Sequence, residues 1–301
     1  MPSINTQGSK ARLLQLGVNA VATDYYKDLP MEKDKIFTTK SSEKSYEIDV
    51  AVSNGGLASI KPEGTATTYD DSKQDFVKNY THAVYSLGGI ITMEAQMNNK
   101  YEDLIQTTGK WIKRSLVHTD EQLAANVINV GYTNSDSMDG VPLFSTAHLY
   151  GKGGSFANRF SVFTALSQAA VEDALIALED FRDGAGLLID AKGVSLHIPR
   201  QLRFVAQRID KSSFEPNTAN TATINPVAGI FSGGIHVNHR FTSSTNWFIK
   251  TDVDNGFKIF ERMGYTFTQD NDFGTENFRT KGMFYKSYGF TDPRCAWGSG
   301  T

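Results

Sequence analysis

Apolar and polar residues alternate strictly through Tyr46, Ile48, Val50 and Val52, with Glu47, Asp49 and Ala51 between them. A period of two puts the first four side chains on one face of a strand, and predicts that this is its buried face. A second extended run covers 75–87, where Phe76, Tyr80 and Val84 are interrupted by Lys78 and His82. The segment between them, "SNGGLASIKPEGTATTYDDSK", has turn signals at Asn54-Gly55-Gly56 and Pro62-Glu63-Gly64. About twenty residues without core-forming side chains are too many for a tight hairpin turn. Residues 45–95 therefore read as a long two-stranded hairpin with a polar tip, projecting from the body.

From residue 99 the period becomes helical. Asn99, with Glu102 three residues on, makes a capping-box-like start. Leu104, Ile105, Thr108, Trp111, Ile112, Leu116, Leu123, Ala124, Val127 and Ile128 then keep to one face until Gly131. A helix of about thirty residues at ~1.5 Å each is ~45 Å long, and its stripe predicts core positions at Trp111, Ile112 and Leu116. Upstream, 10–26 reads as a short amphipathic helix through Leu14, Val18, Val21 and Tyr25, stopped before Pro30. With too little apolar surface for a domain, 1–40 reads as an arm.

Downstream, a second helix runs from Ser167 to about Arg182, with Val171, Ala174, Leu175, Leu178 and Phe181 on one side and Gly184 and Gly186 ending it. "GVSLHIP" at 193–199 is a strand stopped by Pro199. "RQLRFVAQRI" is a short helix with Leu202, Val205, Ala206 and Ile209 inward. The remaining residues are mostly strands: "GIHVNHRF", "NWFIKTD", "GFKIFER", "GYTFTQD" and "ENFRTKGMFYKSYGF". Antiparallel strands grouped beside a few helices predict an α+β protein.

Composition narrows the function classes. The 301 residues suffice for one large domain or two small ones. A formal charge of −3 gives no basic surface built to hold nucleic acid. Cys295 is the one cysteine, which excludes an intrachain disulfide. No apolar run approaches the ~20 residues needed to span a bilayer, and residues 1–20 lack the apolar stretch of a secretory signal. A soluble chain without a membrane partner is expected.

The candidate chemistry is sparse. In "DGVPLFSTAHL" (139–149), Ser145 and His148 could serve as nucleophile and base, but the spacing supplies neither an orienting third group nor an oxyanion site. A polar loop with a hydrogen-bonded histidine is the plainer reading. His236 and His239 in "HVNH" lie on a strand, and residues three apart there point to opposite faces. The glycine pairs at 88–89, 153–154 and 233–234 match no phosphate-cradling motif. "DNDFGTEN" gathers Asp270, Asp272 and Glu276 without the ligand spacing of a calcium loop. No cofactor and no metal site is expected.

The order of arm, projecting hairpin, long helix and compact mixed body resembles the Hong Kong 97 (Johnson) fold of tailed-bacteriophage major capsid proteins. Five segments sharpen this toward the Mu-like phage major head subunit family. "KPEGTATTYDD" with "FVKNYTHAVYSLGGIITMEAQ" resembles that family's E-loop tip and return strand. "DGVPLFSTAHL" resembles the loop after its spine helix, through Asp139, Gly140, Leu143, Phe144 and His148. "LHIPRQLRFVAQRI", "NWFIKTD" and "YGFTDPR" follow in order. The likeness runs from about residue 40 to the C-terminus. Arg200-Gln201 stands where relatives often have a second proline after the first.

The resemblance implies an N-terminal arm at 1–40, an E-loop hairpin at 41–95 and a peripheral domain with the spine helix at 96–188. An axial domain at 189–261 and C-terminal strands at 262–301 returning to the peripheral domain complete it. It implies a non-enzymatic shell subunit that self-assembles through hexamers and pentamers around double-stranded DNA, without sequence-specific binding. Leu57, Ile60, Lys61, Glu63, Tyr69 and Asp70 of the E-loop would touch a neighbouring subunit. Portal and scaffolding proteins are expected partners, with a decoration protein as a further candidate, and scaffolding is expected as a separate chain. The place is the virion, after assembly in the host bacterial cytoplasm. The alternatives are an encapsulin-like nanocompartment shell of the same fold and, further off, the Ser145/His148 hydrolase.

Overall fold

The computed structural model describes residues 31–300, apart from 54, 72, 99–103, 136, 138, 151–153, 215–223 and 273. The helix expected at 10–26 and the capping box of Asn99 and Glu102 lie outside the described residues.

The first sheet has the order β1-β10-β11-β4, formed by β1 (Thr38–Ser41), β4 (Ala83–Ile91), β10 (Phe257–Asn271) and β11 (Phe278–Phe290). β10 and β11 form one long antiparallel hairpin, and the two strands expected at "GFKIFER" and "GYTFTQD" are a single strand with irregular register between Glu261 and Thr266. β1 pairs parallel with the root of β10, so the end of the expected arm belongs to the sheet. The second sheet has the order β12-β9-β7-β8, from β7 (Gly193–Pro199), β8 (Gly234–Asn238), β9 (Trp247–Thr251) and β12 (Ala296–Ser299). β12 has no counterpart among the expected strands, and it pairs with β9 rather than with the strands of the first sheet. Two two-stranded ribbons complete the set: β2 (Tyr46–Ser53) with β3 (Lys73–Thr81), and β5 (His148–Tyr150) with β6 (Gly154–Phe156).

After the short α1 (Met93–Met97), the long helix α2 (Leu104–Asn129) lies across the first sheet. Ile112 and Leu116 are buried against Phe284 of β11. Gly282 makes the approach possible: a Cβ there would stand 2.7 Å from Leu116 Cδ1 and 2.8 Å from Phe267. Trp111 departs from the expected core and is 37% exposed. It lies over Gly89 of β4, the edge strand, and no further strand covers the ring among the described residues.

On the second sheet, α3 (Gln168–Glu179) and α4 (Arg203–Lys211) bury their apolar sides in a common core. Val171, Ala174 and Leu178 of α3 meet Ala206 and Ile209 of α4 over Leu196, Ile198, Trp247 and Ile249. Ser167 caps α3, its Oγ accepting the Ala170 N–H at 3.2 Å. The other face, through Phe248, joins Ile36, Phe37, Phe144, Phe257 and the end of α2 at Ala124 and Ile128. One continuous body therefore contains both sheets.

Two expectations for the projecting hairpin need correction. The ribbon is β2 with β3 alone, because the chain turns at His82 and β4 joins β11 in the first sheet. Buried His82 fixes that corner, its ring nitrogens 2.9 Å from Ser287 Oγ and 3.1 Å from Ser42 Oγ. The alternation in β2 is real but its sense is reversed. Tyr46, Ile48 and Val52 face outward, whereas Asp49 and Ala51 face the body with Phe76 and Tyr80. Asp49 accepts from Lys258 Nζ and, at 2.5 Å, from Thr291 Oγ1. Tyr80 Oη is 2.8 Å from the same threonine hydroxyl, and Phe76 packs beneath the Arg294 guanidinium. A charge pair and two aromatic rings thus take the inward face.

Asp120 of α2 is a polar group inside the body. It is fully buried and accepts from Lys33 Nζ at 2.5 Å, Lys286 Nζ at 2.9 Å, Tyr265 Oη at 2.5 Å and Tyr288 Oη at 2.8 Å. Beside it, Glu121 accepts the backbone N–H groups of Glu32 and Lys33. Burial pushes the Asp120 carboxyl up, but Lys33 and Lys286 outweigh it and hold the group below the usual aspartate value. A depressed folded-state pKa contributes stability above the unfolded value and loses it as pH falls through the folded one. Asp120→Asn should cost about 3–5 kcal/mol, because it strands a buried ammonium. It should also flatten the acid limb of stability below about pH 4. Denaturant titrations of both proteins from neutral pH to pH 3 check this, and an unchanged midpoint would contradict it.

Candidate functional site

The loop that suggests a hydrolase is built as a clip. His148 is fully buried, with Nδ1 2.7 Å from Asp139 Oδ2 and Nε2 3.0 Å from the Leu143 carbonyl oxygen. Its ring stacks on Phe156. Buried Asn158 completes the clip, donating to the Leu143 and Pro293 carbonyls and accepting the Ser145 N–H at 2.8 Å. Burial pushes the Asp139 carboxyl up, but the hydrogen bond and charge of His148 and the other hydrogen bonds to the carboxylate together outweigh it and hold the group below the usual range. Ser145 Oγ accepts the Ala147 N–H and makes no bond to His148. Both ring nitrogens are committed, so the histidine offers that hydroxyl no lone pair. These residues fix the loop after α2 and tie it to the C-terminal segment.

The other candidate groups do not converge. The His236 ring lies beside His197, 5.2 Å between centroids, while His239 Nδ1 meets Glu32 Oε1 at 2.5 Å. Asp272 accepts from Thr275 Oγ1 and Arg279 at the turn of the β10–β11 hairpin. Among the described residues no three His, Cys, Asp or Glu side chains gather as metal ligands. Cys295 is buried, and burial pushes its thiol up.

The tip of the β2–β3 ribbon is the one place where the named candidate contact residues lie together. Leu57, Ile60 and Tyr69 are 86%, 95% and 94% exposed, and Lys61, Glu63 and Asp70 are exposed with them. Local bonds hold the tip open. Asp70 Oδ2 accepts the Gly56 N–H at 2.7 Å, the Ser59 and Thr68 hydroxyls meet at 2.8 Å, and a turn closes at Pro62–Thr65. Gly64 carries that turn at φ 77°, where a side chain would be strained. Behind the tip, Tyr46, Ile48 and Val52 extend the apolar surface down one face of the ribbon. Sequence reasoning missed these three. Their alternation was legible, but a lone chain cannot say whether its apolar face turns to its own core or to a neighbour.

A helix laid across a sheet, a second sheet under two helices and an uncovered ribbon with apolar residues at its end describe a subunit shaped for neighbours. Comparison with known proteins decides which. The family model described as phage capsid protein matches residues 77–298. The chain belongs to the phage capsid protein family. Solved structures carry the same fold at low identity. The chain is 9% identical to a Microbacterium phage Oxtober96 chain, covering 98% of this chain and 97% of that one with a TM-score of 0.56. A Mycobacterium phage Patience chain is 13% identical over 99% and 92%, with a TM-score of 0.57. The capsid of a native GTA particle is 8% identical over 95% and 97%, with a TM-score of 0.58. No curated protein matches the chain in sequence. The capsid protein has the Hong Kong 97 architecture and is a structural, non-enzymatic subunit of the virion shell, which it forms with copies of itself. No described helix is long and apolar enough to cross a membrane.

The clip separates its two suspects by their partners. His148→Ala leaves a buried carboxylate without its imidazole partner, with the Leu149 N–H remaining on the same oxygen, and should cost about 3–5 kcal/mol. Ser145→Ala removes one exposed-edge acceptor and should stay within about 1 kcal/mol. Thermal unfolding of the two variants checks the ranking, and esterase or peptidase assays of the wild type should show no turnover for either to abolish.

Proposed function

We propose that this capsid protein is the major head subunit, and that it builds an icosahedral shell through hexamers and pentamers around double-stranded phage DNA. In this reading the β2–β3 ribbon is the strap between subunits. Leu57, Ile60, Lys61, Glu63, Tyr69 and Asp70 at its tip, with Tyr46, Ile48 and Val52 behind them, lie on a neighbouring copy. Trp111 joins Ile112 and Leu116 as core only once a neighbour covers the edge of β4. Assembly takes place in the host bacterial cytoplasm with portal and scaffolding proteins, and a decoration protein can be added on the outside. DNA is confined rather than bound, in keeping with a net charge of −3.

The carrying observation is the exposed apolar surface of the ribbon. Eight residues of β2 at ~3.3 Å each carry the tip ~26 Å away from the strand's start. An isolated two-stranded ribbon is marginal in water, and an uncovered apolar patch is an interaction site. The nanocompartment alternative is the weaker reading, because the matching family is that of phage capsids.

Replacing 54–72 by a short Gly-Ser turn should leave the melting transition of the subunit intact while abolishing closed shells. Circular dichroism follows the first property, and size-exclusion chromatography with electron microscopy follows the second. Normal shells from the shortened chain would exclude the strap.

A further inference from the structure

The two helices over the second sheet expose stripes of opposite charge. On α4 and the turn before it, Arg200, Arg203, Arg208 and Lys211 are all exposed, at the spacing of one helix side, opposite buried Ala206 and Ile209. Phe204 stands among them, 72% exposed. Asp210 is the only acid in this stretch, and its carboxylate accepts the Gly229 N–H. Among the described residues none of the four cations has a carboxylate partner; Arg208 Nε donates to the Phe204 carbonyl of its own helix. On α3 and its end, Glu172, Asp173, Glu179 and Asp180 surround Ile176, which is 68% exposed, opposite buried Val171, Ala174 and Leu178. Glu172 takes only the Gln168 amide and Asp180 the exposed Arg182, while Asp173 and Glu179 have no partner among the described residues.

We propose that α4 of one capsid protein seats against α3 of the next copy around a capsomer ring, so that this pair of helices forms the rotational contact. The proposal rests on the capsomer reading above and names the surface that carries it. Charge complementarity identifies the occupant. Each stripe is an apolar residue flanked by charge, and the two stripes are opposite in sign. Their placement fits a head-to-tail contact. The chain leaves α3 at Phe181, whose ring lies 6.1 Å from Trp297 of the edge strand β12, Leu175 of α3 lies over Gly193 of β7, and α4 packs along β7 and the opposite edge strand β8. Unlike patches on two helices of one subunit repeat head to tail and make a ring where the rotation closes, which a self-complementary patch does not do. Phe204 and Ile176 supply the desolvated centre, and the charges set register and reject the wrong approach.

Charge reversal tests this in the full-length chain. One variant carries E172K, D173K, E179K and D180K; the other carries R200E, R203E, R208E and K211E. Each should keep its melting transition, yet need about 100-fold or more protein to form capsomers, because like charges then face each other. Both sets in one chain should restore assembly. A mixture of the two variants makes a sharper demand: every contact must alternate, so six-membered rings form and five-membered rings do not. Electron microscopy should then show sheets or tubes without closed shells. Should a fourfold variant fail to fold, R203E with R208E, rescued by D173K with E179K, gives the same readout. Normal shells from either reversed variant would overturn the contact and leave the capsomer reading standing. A wild type that never assembles would remove the capsomer reading, and this contact with it. Closed shells that lose only their DNA when α4 is reversed would show that the basic stripe faces phosphate, and would also overturn the proposal.

Discussion

The subunit is organised around a carboxylate that no water reaches. Asp120 sits in the second half of α2 and satisfies two ammonium groups and two phenols drawn from the N-terminal segment, β10 and β11. A buried ion pair is a poor source of net stability, because desolvation offsets most of the attraction. It is a good source of uniqueness. An apolar stripe such as Ile112 and Leu116 tolerates sliding over a sheet by a turn, whereas a carboxylate with four donors does not. The neighbouring Glu121 extends this by holding the backbone at Glu32 and Lys33, so the helix, the long hairpin and the strand β1 are referenced to one point. Removing the charge would loosen their mutual position as well as the subunit's stability.

Around that point the subunit divides its surfaces by partner. The polar groups at the root of the β2–β3 ribbon find partners inside the chain: Asp49 with Lys258 and Thr291, His82 with Ser42 and Ser287. Beyond the root, the ribbon shows apolar side chains to solvent, and the bonds described at its tip join its own residues. Tyr46, Ile48 and Val52 find no cover among the described residues. This chain spends Phe76 and Tyr80 on attachment and leaves the opposite face open, which is the arrangement a strap between subunits requires.

Most of the element list was legible from periodicity, since α2, α3, α4, β7 and β9 have clean stripes and clear stops at Gly131, Gly184 and Pro199. What was not legible depended on contacts distant in sequence. Nothing local shows that β12 closes the second sheet beside β9, or that the chain turns at His82 and sends β4 to β11. The sense of the β2 alternation failed for a deeper reason. Hydrophobic patterning reports that a face is to be covered, and is silent on whether the cover is intramolecular. The same limit applies to Trp111, which has the spacing of a core residue and lies at the edge of the sheet. Ser145 and His148 were adjacent for a structural reason that only the partners Asp139, Leu143 and Asn158 reveal.

The net charge of −3 conceals how the charges are sorted. Inside the body, Lys33, Lys258, Lys286 and Arg294 are buried and each meets a carboxylate. On α3 and α4 the charges are segregated by sign and left exposed. Exposed ion pairs are individually weak, and they form and break quickly. For a closed shell this weakness is useful, because a misplaced subunit must leave before its neighbours trap it. In the proposed assembly the apolar ribbon works in the other direction: once covered by a neighbour, it would release slowly. Reversible charge contacts that choose the neighbour, followed by apolar burial that retains it, give an order of events which neither surface would give alone.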